Sequence, residues 1–143
     1  MPPYALEPAA EHAEIRAALH ELVGRFLTDY ERAAQGHGLT LTQARVLGFA
    51  SCEPLSQRAL AARFGCDPSN ISVLVDRLVE RGLVERRPDA SDGRVKLITA
   101  TEAGRDLALK CCEDREWLKA KLDALEPVEL ETVRDALRFL TKE

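Results

Sequence analysis

Pro68, Ser69, Asn70, Ser72 and Val73, followed one turn later by Arg77, set short side chains where the solvent face of an ordinary helix carries Lys and Glu. Short groups let a helix backbone come close to another surface. The amide of Asn70 matches the paired donor and acceptor of an adenine edge, the methyls of Val73 suit a thymine methyl, and the guanidinium of Arg77 reaches guanine or phosphate. Ser56 and Gln57 open the preceding helix, where backbone donors and short polar side chains favour a phosphate. Downstream, Arg86 and Arg87 precede the loop Asp89–Gly93, and Arg94 and Lys96 follow it. A hairpin with an arginine near its tip suits the narrow, electronegative minor groove beside a helix in the major groove. The chemistry on offer is recognition. The sequence has no Gly-rich phosphate loop, no His-Glu metal pair and no nucleophile with a nearby base, so an enzyme is not indicated.

The elements that must position these residues follow from periodicity. From about Ala9 to Ala34, Ile15, Leu19, Leu22, Phe26, Tyr30 and Ala33 recur every three or four positions, the stripe of an amphipathic helix. The run Gln35–Gly38 breaks it. Thr40 and Gln43 form a capping box for a short, largely buried helix with Ala44, Leu47 and Ala50 that stops before Pro54. Ser56 caps a third helix with Leu60 and Phe64, ended by Gly65. Asp67 caps the fourth, Pro68 fits its first position, and Ile71, Leu74, Val75, Leu78 and Val79 form its inward face up to Gly82. Two short helices around a glycine turn also occur as plain core packing. Here Ala61 allows a close helix crossing, Gly65 follows four residues on, and the apolar Ile71 six beyond that, the pattern of a helix-turn-helix.

After Gly82 the period becomes extended, with Val95, Leu97 and Thr99 expected to alternate against Lys96 and Ile98 in the second strand of a hairpin. Thr99 and Glu102 read as a capping box opening one long helix, about Thr101 to Ala124. Pro127 starts a last helix with Leu130, Val133, Leu137 and Leu140 at heptad-like spacing. Ile15, Leu19 and Leu22 with Val133, Leu137 and Leu140 are the candidate dimer interface, since a lone domain would leave both stripes in water.

The 143 residues, 45% of them hydrophobic, suffice for one core, and no apolar run approaches the roughly 20 residues of a membrane span. The acidic, proline-containing start is unlike a signal peptide, so a cytoplasmic location is expected. The formal charge of −4 argues against a nucleic-acid partner, but its distribution argues for one. Between Leu55 and Thr99 eight basic residues face six acidic ones, so the negative charge lies elsewhere in the chain. Cys52, Cys66, Cys111 and Cys112 lack metal-ligand spacing and read as reduced thiols; Cys52 and Cys66 remain redox candidates, although small buried thiols account for them as well. His12, His20 and His37 are scattered, and no metal or other cofactor is expected.

The block SQRALAARFGCDPSNISVLVDRLVERGLVERRPDASDGRVKLITATEAG, Ser56–Gly104, resembles the signature of the MarR family, and the flanking helices match that architecture over nearly the whole chain. The resemblance implies a mainly α fold with a small β-hairpin wing (α+β), a winged helix-turn-helix with a terminal-helix dimerisation region. Residues 1–143 form a single domain on this reading, with dimerisation helices in 9–35 and 101–143 and the DNA-binding lobe in 40–99. It implies a triangular homodimer, a wing arginine at Arg94 and a wing-bracing acid at Asp92. Gly93 departs from the family, which usually has a second basic residue there.

The implied function is a transcription regulator, a repressor, that binds pseudo-palindromic double-stranded DNA and is relieved by a small aromatic or anionic effector. Arg16, His20 and Arg45 are candidate effector contacts. A redox-responsive regulator of the same fold and a winged-helix protein-interaction module are the alternatives. The early cysteine of the family's peroxide-sensing branch is absent from the first helix.

Overall fold

A computed structural model describes residues 7–142 of the chain. They form seven helices and a small sheet in the order α1 (Glu7–Gly36), α2 (Leu41–Cys52), β1 (Leu55–Ser56), α3 (Gln57–Phe64), α4 (Pro68–Glu80), β2 (Val84–Pro88), β3 (Lys96–Ala100), α5 (Glu102–Glu113), α6 (Glu116–Asp123) and α7 (Pro127–Thr141). The chain divides into two compact units: Tyr30–Asp114, and the flanking segments up to Asp29 and from Arg115 onward.

The core of the Tyr30–Asp114 unit is built on Val46, Leu47, Leu60, Ile71, Val75, Leu78, Val84 and Ile98, all fully buried. Each of the large aliphatic side chains contributes about 1.5–3 kcal/mol by leaving water. Helix α2 is the short buried helix that the sequence implies, closed by the reciprocal Thr40–Gln43 capping box. Tyr30 fixes it from α1, its hydroxyl donating to the Ala44 carbonyl at 3.1 Å.

The sheet is antiparallel in the order β1-β3-β2, so the hairpin has a third, two-residue strand that periodicity did not indicate. Leu55 pairs with Ile98, and Val84 with Ala100. This central place of β3 decides which of its two alternating faces is inward. Ile98 and Ala100 point into the core, while Leu97 and Thr99 are half-buried. Alternation alone leaves the choice open, and the buried face is set by what lies opposite: Leu55 across from Ile98 and Val84 across from Ala100.

Three further expectations change. Asp67 occupies the N-cap of α4, yet its side chain makes no capping bond; Pro68 at the first position supplies the preset backbone instead. Ile71, Val75 and Leu78 are the buried residues of α4, whereas Leu74 is half-buried and Val79 exposed. Thr99 sits in the ladder opposite Glu85 and cannot cap a helix; Thr101 does so, accepting from the Gly104 amide at 3.1 Å and donating to the Gly82 carbonyl at 2.7 Å.

The single long helix expected over 101–124 is two helices, with Arg115 between them at ψ 80°. No glycine or proline causes the interruption. Within the Tyr30–Asp114 unit, Arg32 donates to the Asp114 carbonyl at 2.6 Å and His37 Nε2 meets the Asp114 carboxylate at 2.5 Å. In the other unit the buried carboxylate of Asp29 accepts from the Trp117 and Leu118 amides, both at 3.2 Å. Asp29 thus satisfies the free donors at the start of α6, the work of an N-cap done by a residue of α1.

Candidate nucleic-acid interface

Helices α3 and α4 are joined by a turn in which Gly65 takes φ 60° and ψ 36°, the left-handed region that a side chain disfavours. Its amide bonds the Ala62 carbonyl at 3.2 Å, and the next amide, of Cys66, bonds Ala61 at 3.1 Å, closing the C-terminus of α3. Ala61 and Ile71 are both buried where the two helices meet. That packing turns Ser69, Asn70, Val73, Asp76 and Arg77 outward, with Val73 54% exposed, while Pro68 and Ser72 are half-buried. The outward run of short side chains leaves the α4 backbone open to close approach by another surface.

Two residues expected at phosphates have partners inside the protein. The Ser56 hydroxyl accepts from the Ala59 amide at 3.0 Å, and Gln57 Nε2 donates to the Pro68 carbonyl at 2.9 Å. Arg58, one residue on, is exposed and has no carboxylate partner among the described residues. It was not singled out from the sequence, although a cation in the first turn beside Ser56 was the available signal.

In the wing, Arg86 lies opposite Ile98 and reaches Asp76 of α4 at 2.6 Å, tying the hairpin to that helix. Arg87 pairs with Glu85 at 2.5 Å. The loop is closed by Asp89 and Val95, the Asp89 amide donating to the Val95 carbonyl at 2.9 Å and the Val95 amide to the Asp92 carbonyl at 3.0 Å. The Asp92 carboxylate accepts from the Arg94 backbone amide at 3.1 Å, while the Arg94 side chain is 96% exposed, 3.5 Å from the same carboxylate. So Asp92 orders the backbone and leaves the guanidinium in water. Lys96 is exposed, and neither it nor Arg77 has a carboxylate partner among the described residues. A Cβ on Gly93 would touch nothing within 4 Å.

Helix α3, helix α4 and the wing therefore belong to one compact unit, with the outward face of α4 and Arg94 both open. The sequence profile of the MarR family matches residues 37–95, which hold α3, α4 and the first wing strand with its loop and stop just before the second wing strand, β3. A MarR-family transcriptional regulator of Rhodococcus sp. RHA1 has the same fold with a TM-score of 0.70 and 34% identity, over 90% of this chain and 94% of that one. The chain belongs to the MarR family. It is a DNA-binding transcription regulator and not an enzyme. A second structure, CouR of Rhodococcus jostii RHA1 bound to p-coumaroyl-CoA, is similar with a TM-score of 0.70 and 35% identity, over 88% of this chain and 90% of that one. An HTH-type transcriptional regulator of Mycobacterium bovis is 33% identical over 79 residues, 54% of this chain and 55% of its own.

The remaining candidates lie elsewhere in this MarR-family chain. Ile15, Leu19 and Leu22 of α1 and Val133, Leu137 and Leu140 of α7 are exposed in the terminal unit. Val23 and Phe139, which the sequence reading passed over, are exposed too, Phe139 to 79%. Arg16 and His20 are exposed on α1 in that unit, whereas Arg45 belongs to the other and stacks on the Phe64 ring at 4.6 Å. A hollow of about 360 Å3 in the terminal unit is lined by Ala18, Glu21, Leu22, Arg25, Trp117 and Lys121, without Arg16 or His20. Cys52 is exposed at the end of α2 and Cys66 is half-buried in the turn; the buried thiol is Cys111. Among the described residues no three His, Cys, Asp or Glu gather as a metal site, and no helix is long and apolar enough to cross a membrane.

Proposed function

We propose that the chain acts in the cytoplasm as a homodimeric repressor of pseudo-palindromic operators. The observation that carries this reading is the pairing, in one compact unit, of an outward run of short side chains on α4 with a wing arginine held open by its own acid. The short side chains of Ser69, Asn70 and Val73 read base edges in the major groove; Arg94 enters the minor groove beside it. Residues 40–99 serve as the DNA-binding lobe. The helices in 9–35 and 101–143 serve the dimer, in which the exposed apolar residues of α1 and α7 leave water together. Two reading helices related by a two-fold axis then meet half-sites about one helical turn apart.

An effector with an aromatic group and anionic charge relieves repression on this reading. The support is CouR, which resembles this chain at 35% identity and was solved with p-coumaroyl-CoA. Arg16 and His20 on α1 and, separately, Arg45 in the Tyr30–Asp114 unit are the side chains offered for such a ligand.

The test is anisotropy of labelled duplex carrying the DNA upstream of the protein's own gene, titrated at several salt concentrations and followed by footprinting. A symmetric footprint with two half-sites about 10 base pairs apart supports the reading. A single asymmetric half-site, or binding that ignores salt, removes it.

A further inference from the structure

Gln57 faces away from the role its position suggests. It opens α3, where a side-chain amide would meet a DNA phosphate, yet it is half-buried and its Nε2 donates to the Pro68 carbonyl, eleven residues on, at 2.9 Å. We propose that Gln57 is a positioning residue for base recognition, fixing the first turn of α4 rather than binding the phosphate backbone. The proposal rests on the reading of α4 as the helix that reads bases.

The rest of α4 is well secured. Ile71, Val75 and Leu78 are buried and set its rotation, the Asp76–Arg86 pair ties its middle to the wing, and Arg81 donates to the Gly38 carbonyl at 2.8 Å from its end. The first turn ends on the buried Ile71 and has the Asn70 amide donating to the Asp67 carbonyl at 3.0 Å, but it has no side-chain cap of its own. Asp67 at the N-cap makes no side-chain capping bond, and Pro68 has no amide hydrogen to give. Among the described residues, the side-chain hydrogen bond that reaches this turn from another element is the one from Gln57. Ser69, Asn70, Ser72 and Val73 ride on it, directly before or within the next turn. A bidentate contact to a base edge tolerates an error of only about 0.5 Å, so freedom at Pro68 is felt at the base that Asn70 meets. Phosphate contacts made by other elements are indifferent to it.

A phosphate contact and a positioning contact differ in what they do across sequences. Losing the first weakens all duplexes alike; losing the second erodes preference among them. The experiment compares wild type, Gln57→Ala, Asn70→Ala and the double variant on a panel of single-base operator variants and on unrelated duplex at one salt concentration. Hydrogen exchange of Ser69–Ser72 amides is measured in the free protein. Gln57→Ala should lower discrimination roughly threefold to tenfold at the base pair that Asn70→Ala affects, leave unrelated duplex within about twofold, and add little in the Asn70→Ala background. Exchange in the first turn should rise. Gln57→Glu, which sets an acceptor against the Pro68 carbonyl, should lose discrimination at least as strongly while thermal unfolding shows both variants folded.

Unchanged exchange, or an equal loss of affinity on every duplex, overturns the positioning role. Faster exchange with an unaltered preference profile instead overturns α4 as the reading helix, and this inference with it.

Discussion

Gly104 packs against the Leu83 backbone so closely that a Cβ on it would lie 1.9 Å from the Leu83 carbonyl oxygen. The same carbonyl accepts the Thr101 amide at 3.0 Å, so neither partner can retreat without breaking the entry to α5. Gly104→Ala should therefore destabilise the fold by at least about 2 kcal/mol, a clash with backbone having no side chain to give way. Gly93→Ala, at an open site, should stay within about 0.5 kcal/mol of wild type. Urea unfolding of the two variants checks both; equal midpoints would remove the close approach as an explanation.

Asp29 should matter to α6 in particular. Asp29→Ala deletes the acceptor of the Trp117 and Leu118 amides and should cost about 1–2 kcal/mol, the range of a lost helix cap. Faster hydrogen exchange at Trp117 and Leu118, with α4 unaffected, is the local signature to look for.

Arg94 and Asn70 should separate by what they change. Arg94→Ala should weaken most duplexes, because an exposed guanidinium senses groove width and potential. Asn70→Ala should instead alter preference at one base pair by roughly 1–3 kcal/mol. An operator panel at fixed salt distinguishes them, and identical profiles for the two variants would contradict the docking.

Gly93→Arg should tighten DNA binding. Nothing within 4 Å of its Cβ position opposes a side chain, and an added wing cation that neutralises one phosphate steepens the salt dependence by about 0.9 in log–log slope. A slope unchanged from wild type would mean that the wing tip stays off the backbone.

Leu137→Glu places a charge in the seam assigned to the dimer, at a side chain 47% exposed in the single chain. Sedimentation should show more monomer at micromolar concentration and anisotropy a weaker operator complex. A variant that stays dimeric would move the interface elsewhere on α1 and α7.

Much of the Tyr30–Asp114 unit is legible in the chain because its punctuation is local. Thr40 and Gln43, Ser56, Gly65 and Pro68 act within one turn of themselves, and each stands where the sequence implies. The failures are non-local. Nothing near Glu113–Glu116 announces a break, since the groups that hold it are Asp29, Arg32 and His37. The face of β3 depended on a strand, β1, two residues long. Gln57 has the composition of a phosphate ligand, and its hydrogen bond to the Pro68 carbonyl, eleven residues away, is visible only in the fold. Arg86 likewise reads as a free cation until Asp76 is found beside it.

The interruption between α5 and α6 also has an evolutionary side. Local preference there favours one continuous helix, and the native break is a frustrated spot overruled from a distance. Substitutions that restore local harmony are thus to be sought 77 to 89 positions upstream, at His37, Arg32 or Asp29, not in the segment that would straighten. Descendants of this chain can lengthen or divide the helix by changes at those distant sites alone, with the letters between Glu113 and Leu118 left as they are.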